Sequence, residues 1–302
     1  MSSSDLSPSI HGPARKIGGK AWLLLLTLGV LWGIPYFLIR IAVTDYHPVV
    51  VAFARSVVGA LLLLPFAINR QRTARGFGKP QWLLAFTLCE ISAPWFLIGY
   101  AEQHVTSSSA GLVIALTPIM ATLLGVAFLQ ERLSKHRACG LVLGFGGVAA
   151  LLGFDGQSVQ ILPVLALSVS ALGYALGPII VDKKLADADS TVVLMTSLVV
   201  ASLAYIPFVP GHWPVHFSLS AAVSVVALAL FCTVLAFQLL FALVSEVGPA
   251  RATVVTYVNP AVAAFLGVVL LNEPFTWGIV FGLALVVMGS YLATKTPVQL
   301  CR

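Results

Sequence analysis

Residues 117–147, TPIMATLLGVAFLQERLSKHRACGLVLGFGG, and residues 259–289, NPAVAAFLGVVLLNEPFTWGIVFGLALVVMG, carry the same punctuation. Pro118, Gly125, Glu131, Gly140 and Gly147 of the first stretch recur as Pro260, Gly267, Glu273, Gly282 and Gly289 of the second, each 142 positions further on. The same offset carries Trp32 onto Tyr174, Pro65 onto Pro207 and Phe66 onto Phe208, so the repeat covers nearly the whole chain. The sequence is a tandem duplication with two halves built alike.

Composition fixes the solvent in which those halves fold. Hydrophobic residues make up 59% and charged residues 9% of 302 positions, against about 25% charged in soluble domains, and mean hydropathy is +0.99. In hydrocarbon every backbone polar group must be satisfied inside the protein, and apolar runs of about 20 residues select helices over barrels. An all-α, multi-pass membrane protein is expected. Met1 to Lys20 is Ser-rich and basic, and the apolar run behind it is long enough to span, so it reads as a cytosolic tail rather than a cleaved signal.

Charge clusters and turn residues divide the rest into ten expected transmembrane helices. They lie near 21–43, 48–68, 81–101, 106–129 and 136–153, then 161–181, 190–210, 218–243, 249–271 and 275–294. The first five form one repeat over 21–153 and the last five another over 161–294, with cytosolic tails at 1–20 and 295–302. Five is odd, so the copies must enter the membrane from opposite sides and be inverted about an axis in the membrane plane. Placing the N-terminus inside puts 15 of the 17 Lys and Arg in cytoplasmic segments. Only Arg40 and Arg55 remain, both within spans toward the outer side. An N-in, C-in orientation follows from the positive-inside rule. The net charge of +6 then needs no nucleic acid partner, because topology and anionic inner-leaflet lipid account for it.

Cys89, Cys139, Cys232 and Cys301 show no C-x-x-C spacing, and the six histidines lie near span ends or in loops with no H-E-x-x-H. No metal or cofactor motif is present. A membrane enzyme acting on a lipid would want clustered acids, histidines or a metal motif at one interface. The longest loop, near 69–80, is basic and carries no carboxylate. Enzyme activity is not expected.

Trp32-Gly33, the run from Phe53-Ala54-Arg55 to Leu64-Pro65, and the Pro118–Gly147 and Pro260–Gly289 segments resemble the EamA-type transporters of the drug/metabolite transporter superfamily, across residues 20–295. The resemblance implies two EamA-like repeats, a ten-helix fold of inverted five-helix halves, and an alternating-access carrier for small metabolites, often an exporter. Family cargoes include amino acids, drugs and other metabolites.

Glu90 lies mid-span in LAFTLCEISAPW (84–95), where an ionised carboxylate costs about 2.5 to 3.5 kcal/mol or more. It reads as a cavity carboxylate for a substrate ammonium or a proton, or as a protonated acid bonded to a neighbouring helix. Its repeat counterpart, Cys232, is neutral. Pro118 and Pro260 follow Thr117 and Asn259 near span centres, where proline frees a carbonyl from the helix ladder and a kink is expected. Thr117, Thr256, Tyr257 and Asn259 then either line a midplane cavity or serve their own helices. Trp32 and Tyr174 are equivalent aromatics flanked by Gly33, Pro35, Gly173, Gly177 and Pro178, and read as a gate or as packing. Trp95, Tyr100 and Gln238 complete the candidate substrate-binding set, and Pro35 and Pro178 the candidate kinks. Trp22, Trp82, Trp213 and Trp277 near span ends read as interfacial anchors.

Arg40 reads as a snorkelling side chain or a partner of Asp45. Arg55 reads as a structural hydrogen-bond donor to helix ends, with an anionic substrate as the other partner type. Glu131 and Glu273, at matching places on opposite membrane faces, read as structural latches on helix termini. Glycines of the fifth and tenth spans let backbones approach closely, within a monomer or across a homodimer.

The expected function is a secondary active or facilitative transporter that moves small organic metabolites through a midplane cavity between the repeats. Export of amino acids or related compounds is the first reading. One acid with several aromatics, hydroxyls and amides suits a zwitterionic or mildly cationic molecule, and no Lys or Arg is expected at the midplane to meet a phosphate. Broad-specificity drug or cation efflux fits the same residues. A channel would want a repeated acidic or carbonyl-lined constriction, and a scaffold would leave Glu90 and Asn259 unexplained. The partners implied are a small-molecule substrate, the lipid bilayer and protons as a coupling ion, in a bacterial inner (plasma) membrane.

Overall fold

The computed structural model describes residues 18–71, 79–128, 133–154, 160–247 and 252–294, with no strand among them. Its helices in chain order are α1 (Gly19–Asp45), α2 (Pro48–Gln71), α3 (Pro80–Glu102), α4 (Ser107–Phe128), α5 (Lys135–Phe154), α6 (Ile161–Lys184), α7 (Ser190–Phe208), α8 (Leu219–Val247), α9 (Val254–Leu270) and α10 (Trp277–Thr294). Eight are long and apolar enough to cross a membrane, and α9 is a shorter apolar helix. The 20 residues of α5 measure about 30 Å, the thickness of a hydrocarbon core. The chain is a multi-pass integral membrane protein. Polar side chains serve the orphan amides where helices start: Thr106 accepts from Ser109 N, Asp189 from Thr191 N and Val192 N, and Ser218 from Ala221 N.

Packing shows how the halves are related. Helix α1 lies on α8 and α9, α6 lies on α3 and α4, α2 pairs with α7, α4 with α9, and α5 with α10. Exchanging the first five helices with the last five maps this list onto itself. At the α5/α10 crossing Gly140 meets Gly289 and Gly147 meets Gly282, so the two helices run antiparallel. The repeat offset turns the first contact into the second. Equivalent helices that cross antiparallel at a shared point are related by a two-fold axis across them, which is the inverted arrangement. The glycines thus join the two repeats of one chain, and their small size sets how near the backbones come.

A Cβ at Gly140 would meet the Ala293 backbone nitrogen at 2.5 Å, and one at Gly289 the Gly144 nitrogen at 2.5 Å, whereas one at Gly146 meets nothing within 4 Å. Gly140→Ala should therefore lower the melting temperature in detergent, with an overpacking cost of about 1 to 3 kcal/mol. Gly146→Ala should hold or raise it, since alanine is the better helix former. Equal behaviour of the two variants would mean that α5 and α10 do not cross here.

Candidate functional site

Helices α3 and α8 occupy the same place in the two repeats, and each contains one π-helical turn, Thr87–Ser92 in α3 and Leu230–Leu235 in α8. Such turns insert a residue into the helix ladder and cluster at functional sites. The turn in α3 packs on α6 and α7, and the turn in α8 on α1 and α2, so both sit where the repeats meet. Glu90 lies on the first turn, Cys232 and Thr233 on the second.

Arg55 of α2 reaches between them and is only 6% exposed. Its Nε donates to Thr233 Oγ1 at 3.0 Å, and its guanidinium carbon stands 3.7 Å from the centre of the Trp95 ring on α3. Thr233 in turn donates to the Leu228 carbonyl at 3.0 Å, which fixes its lone pairs toward the arginine. The hydroxyls of Tyr36, Tyr174 and Tyr205 lie within electrostatic range of the guanidinium. Tyr205 donates to the Ser92 carbonyl of the α3 turn. From sequence, Arg55 is a donor to helix ends; in the structure its partners are a hydroxyl and an aromatic face.

Glu90 points at α6. Its Oε2 is buried without a hydrogen-bond partner, and it lies so close over Gly177 that a Cβ there would sit 2.0 Å from it. One turn earlier, a Cβ at Gly173 would stand 2.3 Å from the Cys89 carbonyl. The two glycines flanking Tyr174 therefore let the π turn of α3 rest on α6. Tyr174 is within electrostatic range of both Glu90 and Arg55. Of the residues singled out from sequence, Glu90, Trp95, Tyr174 and Arg55 come together here; Tyr36, Tyr205 and Thr233 join them without having been expected. The signal for Arg55 lay in α2 itself, which has no acid anywhere in Pro48–Gln71 to pair with it.

Other expected contacts are committed elsewhere. Helix α4 breaks at residues 115–116, just before Pro118, and α9 begins as a 3₁₀ segment, Thr253–Tyr257, just before Pro260. The carbonyls freed at the first break are taken by the protein: Thr117 Oγ1 donates to Ile114 O at 2.7 Å and Ser290 Oγ to Ala115 O at 3.1 Å. The Asn259 amide, oriented by its surroundings, donates to Gly29 O at 3.0 Å and Val255 O at 2.9 Å. Tyr257 shares a 2.7 Å hydrogen bond with Thr294. Gln238 reaches Thr191 Oγ1 at 3.5 Å, Trp32 stands edge-on to Phe237 with centroids 5.9 Å apart, and Tyr100 lies against His104. Pro178 is exposed on the outside of α6 and Pro35 is half-buried in α1. Trp22, Trp213 and Trp277 are exposed, as anchors are.

A second polar layer lies at the expected outer face. Asn272 takes a left-handed conformation (φ 54°) after α9, a turn asparagine tolerates, and this aims Glu273 at the start of α4. Glu273 accepts from Ser107 N at 2.6 Å, Ser108 N at 3.1 Å and Ser108 Oγ at 2.6 Å. A Cβ at Gly267 would stand 2.3 Å from that carboxylate, which explains the Gly-to-Glu spacing of the repeat. Glu131, its counterpart, lies outside the described residues. Nearby, Arg40 donates to the Glu102 carbonyl, the wholly buried Glu102 carboxyl has no hydrogen-bond partner, Tyr46 donates to Ser218 O at 3.1 Å, and the His47 and His212 rings stack at 3.9 Å. Burial, and then the neighbouring His212, hold the His47 imidazole below its ordinary range.

A two-repeat, all-helical membrane protein with polar groups gathered between its repeats has the build of a carrier. The EamA-like transporter family model matches residues 19–153 and again 161–295, and the chain belongs to that family. It is 24% identical to an uncharacterized transporter of Archaeoglobus fulgidus over 91% of this chain and 99% of that one. It is 28% identical to the uncharacterized inner membrane transporter YedA of Escherichia coli, over 91% and 92%. A protein of Streptantibioticus cattleyicolor named "Probable terminal-alkyne amino-acid exporter" is 24% identical over 85% and 87%. One solved crystal structure matches with a TM-score of 0.63 at 21% identity, covering 91% of this chain and 96% of that one, a likeness of fold alone.

Glu273→Ala removes three hydrogen bonds from the α4 N-terminus and should destabilise the protein by about 1 to 2 kcal/mol, the range for a lost helix cap. Thermal unfolding in detergent checks this. A melting temperature equal to that of the native protein would show that the latch holds nothing.

Proposed function

We propose that the chain is an alternating-access carrier whose cargo binds between repeats 21–153 and 161–294, at the cluster built on the two π turns, and that it exports amino acids or related compounds. The observation that carries this reading is Glu90 Oε2, buried without a hydrogen-bond partner over Gly177 of α6 and within electrostatic range of Tyr174, where the repeats meet. An intramembrane acid that the protein does not satisfy is a functional group by default, and a substrate ammonium or a proton would satisfy it. The relative named as an amino-acid exporter supports the cargo class. Both termini lie in the cytoplasm, so Arg40, Asp45 and Glu273 mark the outer face, and the surface ion pair of Lys20 with Glu246 (3.2 Å) the inner one.

Counterflow in proteoliposomes tests the cargo, using labelled amino acids and organic cations at two pH values with the native protein and Glu90→Gln. Saturable amino-acid exchange that the variant loses, or carries out without pH response, is the expected result. Exchange of cations alone would replace the cargo, and a variant that keeps rate and pH response would return Glu90 to a structural role. For orientation, cysteine-free protein carrying Val215→Cys should react with an impermeant maleimide from outside intact cells, whereas Lys79→Cys should react only after permeabilisation.

A further inference from the structure

The protein contains two intramembrane arginines, and they are treated differently. Arg40 donates to a main-chain carbonyl at the end of α3, as a structural arginine does. Arg55 is more deeply buried, and no carboxylate among the described residues stands within salt-bridge distance of it. Its Nε is spent on Thr233 and one face of its plane on Trp95. That leaves the edge carrying the two Nη groups, which make no hydrogen bond among the described residues. A guanidinium clamped at Nε and stacked on one face presents that edge in a fixed direction, and the edge matches the two oxygens of a carboxylate.

A buried cation without a counter-ion is costly, and proteins pair such charges or neutralise them. Arginine keeps its proton, so neutralisation must come from an anion. Three phenols lie within electrostatic range of the guanidinium, and one of them, Tyr174, is within range of Glu90 as well. The cation and the acid both lie within range of that one side chain, and they form no ion pair with each other. Two opposite charges without a counter-ion among the described residues, set about one tyrosine, match the two ends of a bipolar molecule.

We infer that the Nη edge of Arg55, backed by Trp95 and tethered by Thr233, binds the carboxylate of the cargo, so that the transported molecule is a zwitterion with its ammonium directed past Tyr174 toward Glu90. The inference rests on the carrier reading above and narrows it: a plain amine or a cationic drug would leave Arg55 without its counter-ion.

The test uses full-length protein in proteoliposomes, with labelled leucine, phenylalanine and threonine as cargoes and their carboxamides as competitors. The carboxamides keep side chain and ammonium and lack the negative charge. In the native protein each carboxamide should compete at least tenfold more weakly than the parent acid. Arg55→Gln should abolish that preference, and Arg55→Lys, which keeps the charge without the fork, should restore part of it. The native comparison stands even if neither variant folds. Carboxamides that compete as well as the acids, or a preference that survives in Arg55→Gln, would overturn the inference and leave the carrier reading intact. Exchange of organic cations alone would do the same. No exchange of any compound would overturn both.

Discussion

Hydrocarbon offers no hydrogen bonds, so every amide that leaves the regular helix ladder must find a partner inside the protein. The structure departs from the ladder in two pairs of places, related by the repeat. At the breaks before Pro118 and Pro260, the freed groups are met by Thr117, Ser290 and Asn259. At the π turns of α3 and α8 the backbone change is smaller, and its effect is on side chains: it sets Glu90 over Gly177 and turns Thr233 to meet Arg55. The proline breaks use up their polar neighbours, while the π turns leave theirs facing the repeat junction. Of the two roles open to the polar residues beside the prolines, Thr117 and Asn259 are seen serving backbone carbonyls, while Glu90 Oε2 on the α3 turn has no partner.

The frame was legible from residue spacing because each repeated residue has one local job. Proline starts the second half of a broken helix, Gly267 makes room for Glu273, Glu273 seats on the start of α4, and Gly282 and Gly289 set the crossing with α5. Glu90 and Trp95 were visible as polar or amphipathic groups in an apolar run. The π turns were not, because one inserted residue alters neither composition nor hydrophobicity. Tyr36 and Tyr205 carry no mark that sets them apart from other aromatics in apolar runs, and the Arg55 environment is assembled from α2, α3 and α8, so no window of sequence contains it. Glu102 falls just past the third expected span, and its full burial at the end of α3 goes with the polar layer of Arg40 and Glu273 beside it.

The duplication also separates what is symmetric from what is not. The glycine crossing, the proline breaks and the π turns occur in both halves. The polar residues of the candidate site occur in one: Arg55 answers to Ser197, Glu90 to Cys232, Trp95 to Phe237, Thr233 to Ile91, Tyr36 to Pro178 and Tyr205 to Leu63. Backbone geometry has been kept in duplicate while the side chains at the junction have diverged.

In an inverted-repeat carrier the inward- and outward-open states exchange the conformations of the two halves. In the proposed cycle, duplicate packing devices would keep those states close in free energy, as it requires, since cargo can shift an equilibrium only by its differential affinity for the two states. A molecule with distinct ends needs the opposite property, a site whose ends differ. On the proposed reading, a cation on α2 and an acid on α3, both within range of Tyr174 of the other repeat, would supply that polarity without disturbing the symmetric contacts. In the proposed cycle the helix crossings would serve the movement, and the cluster on the π turns, whose side chains differ between the halves, the choice of cargo.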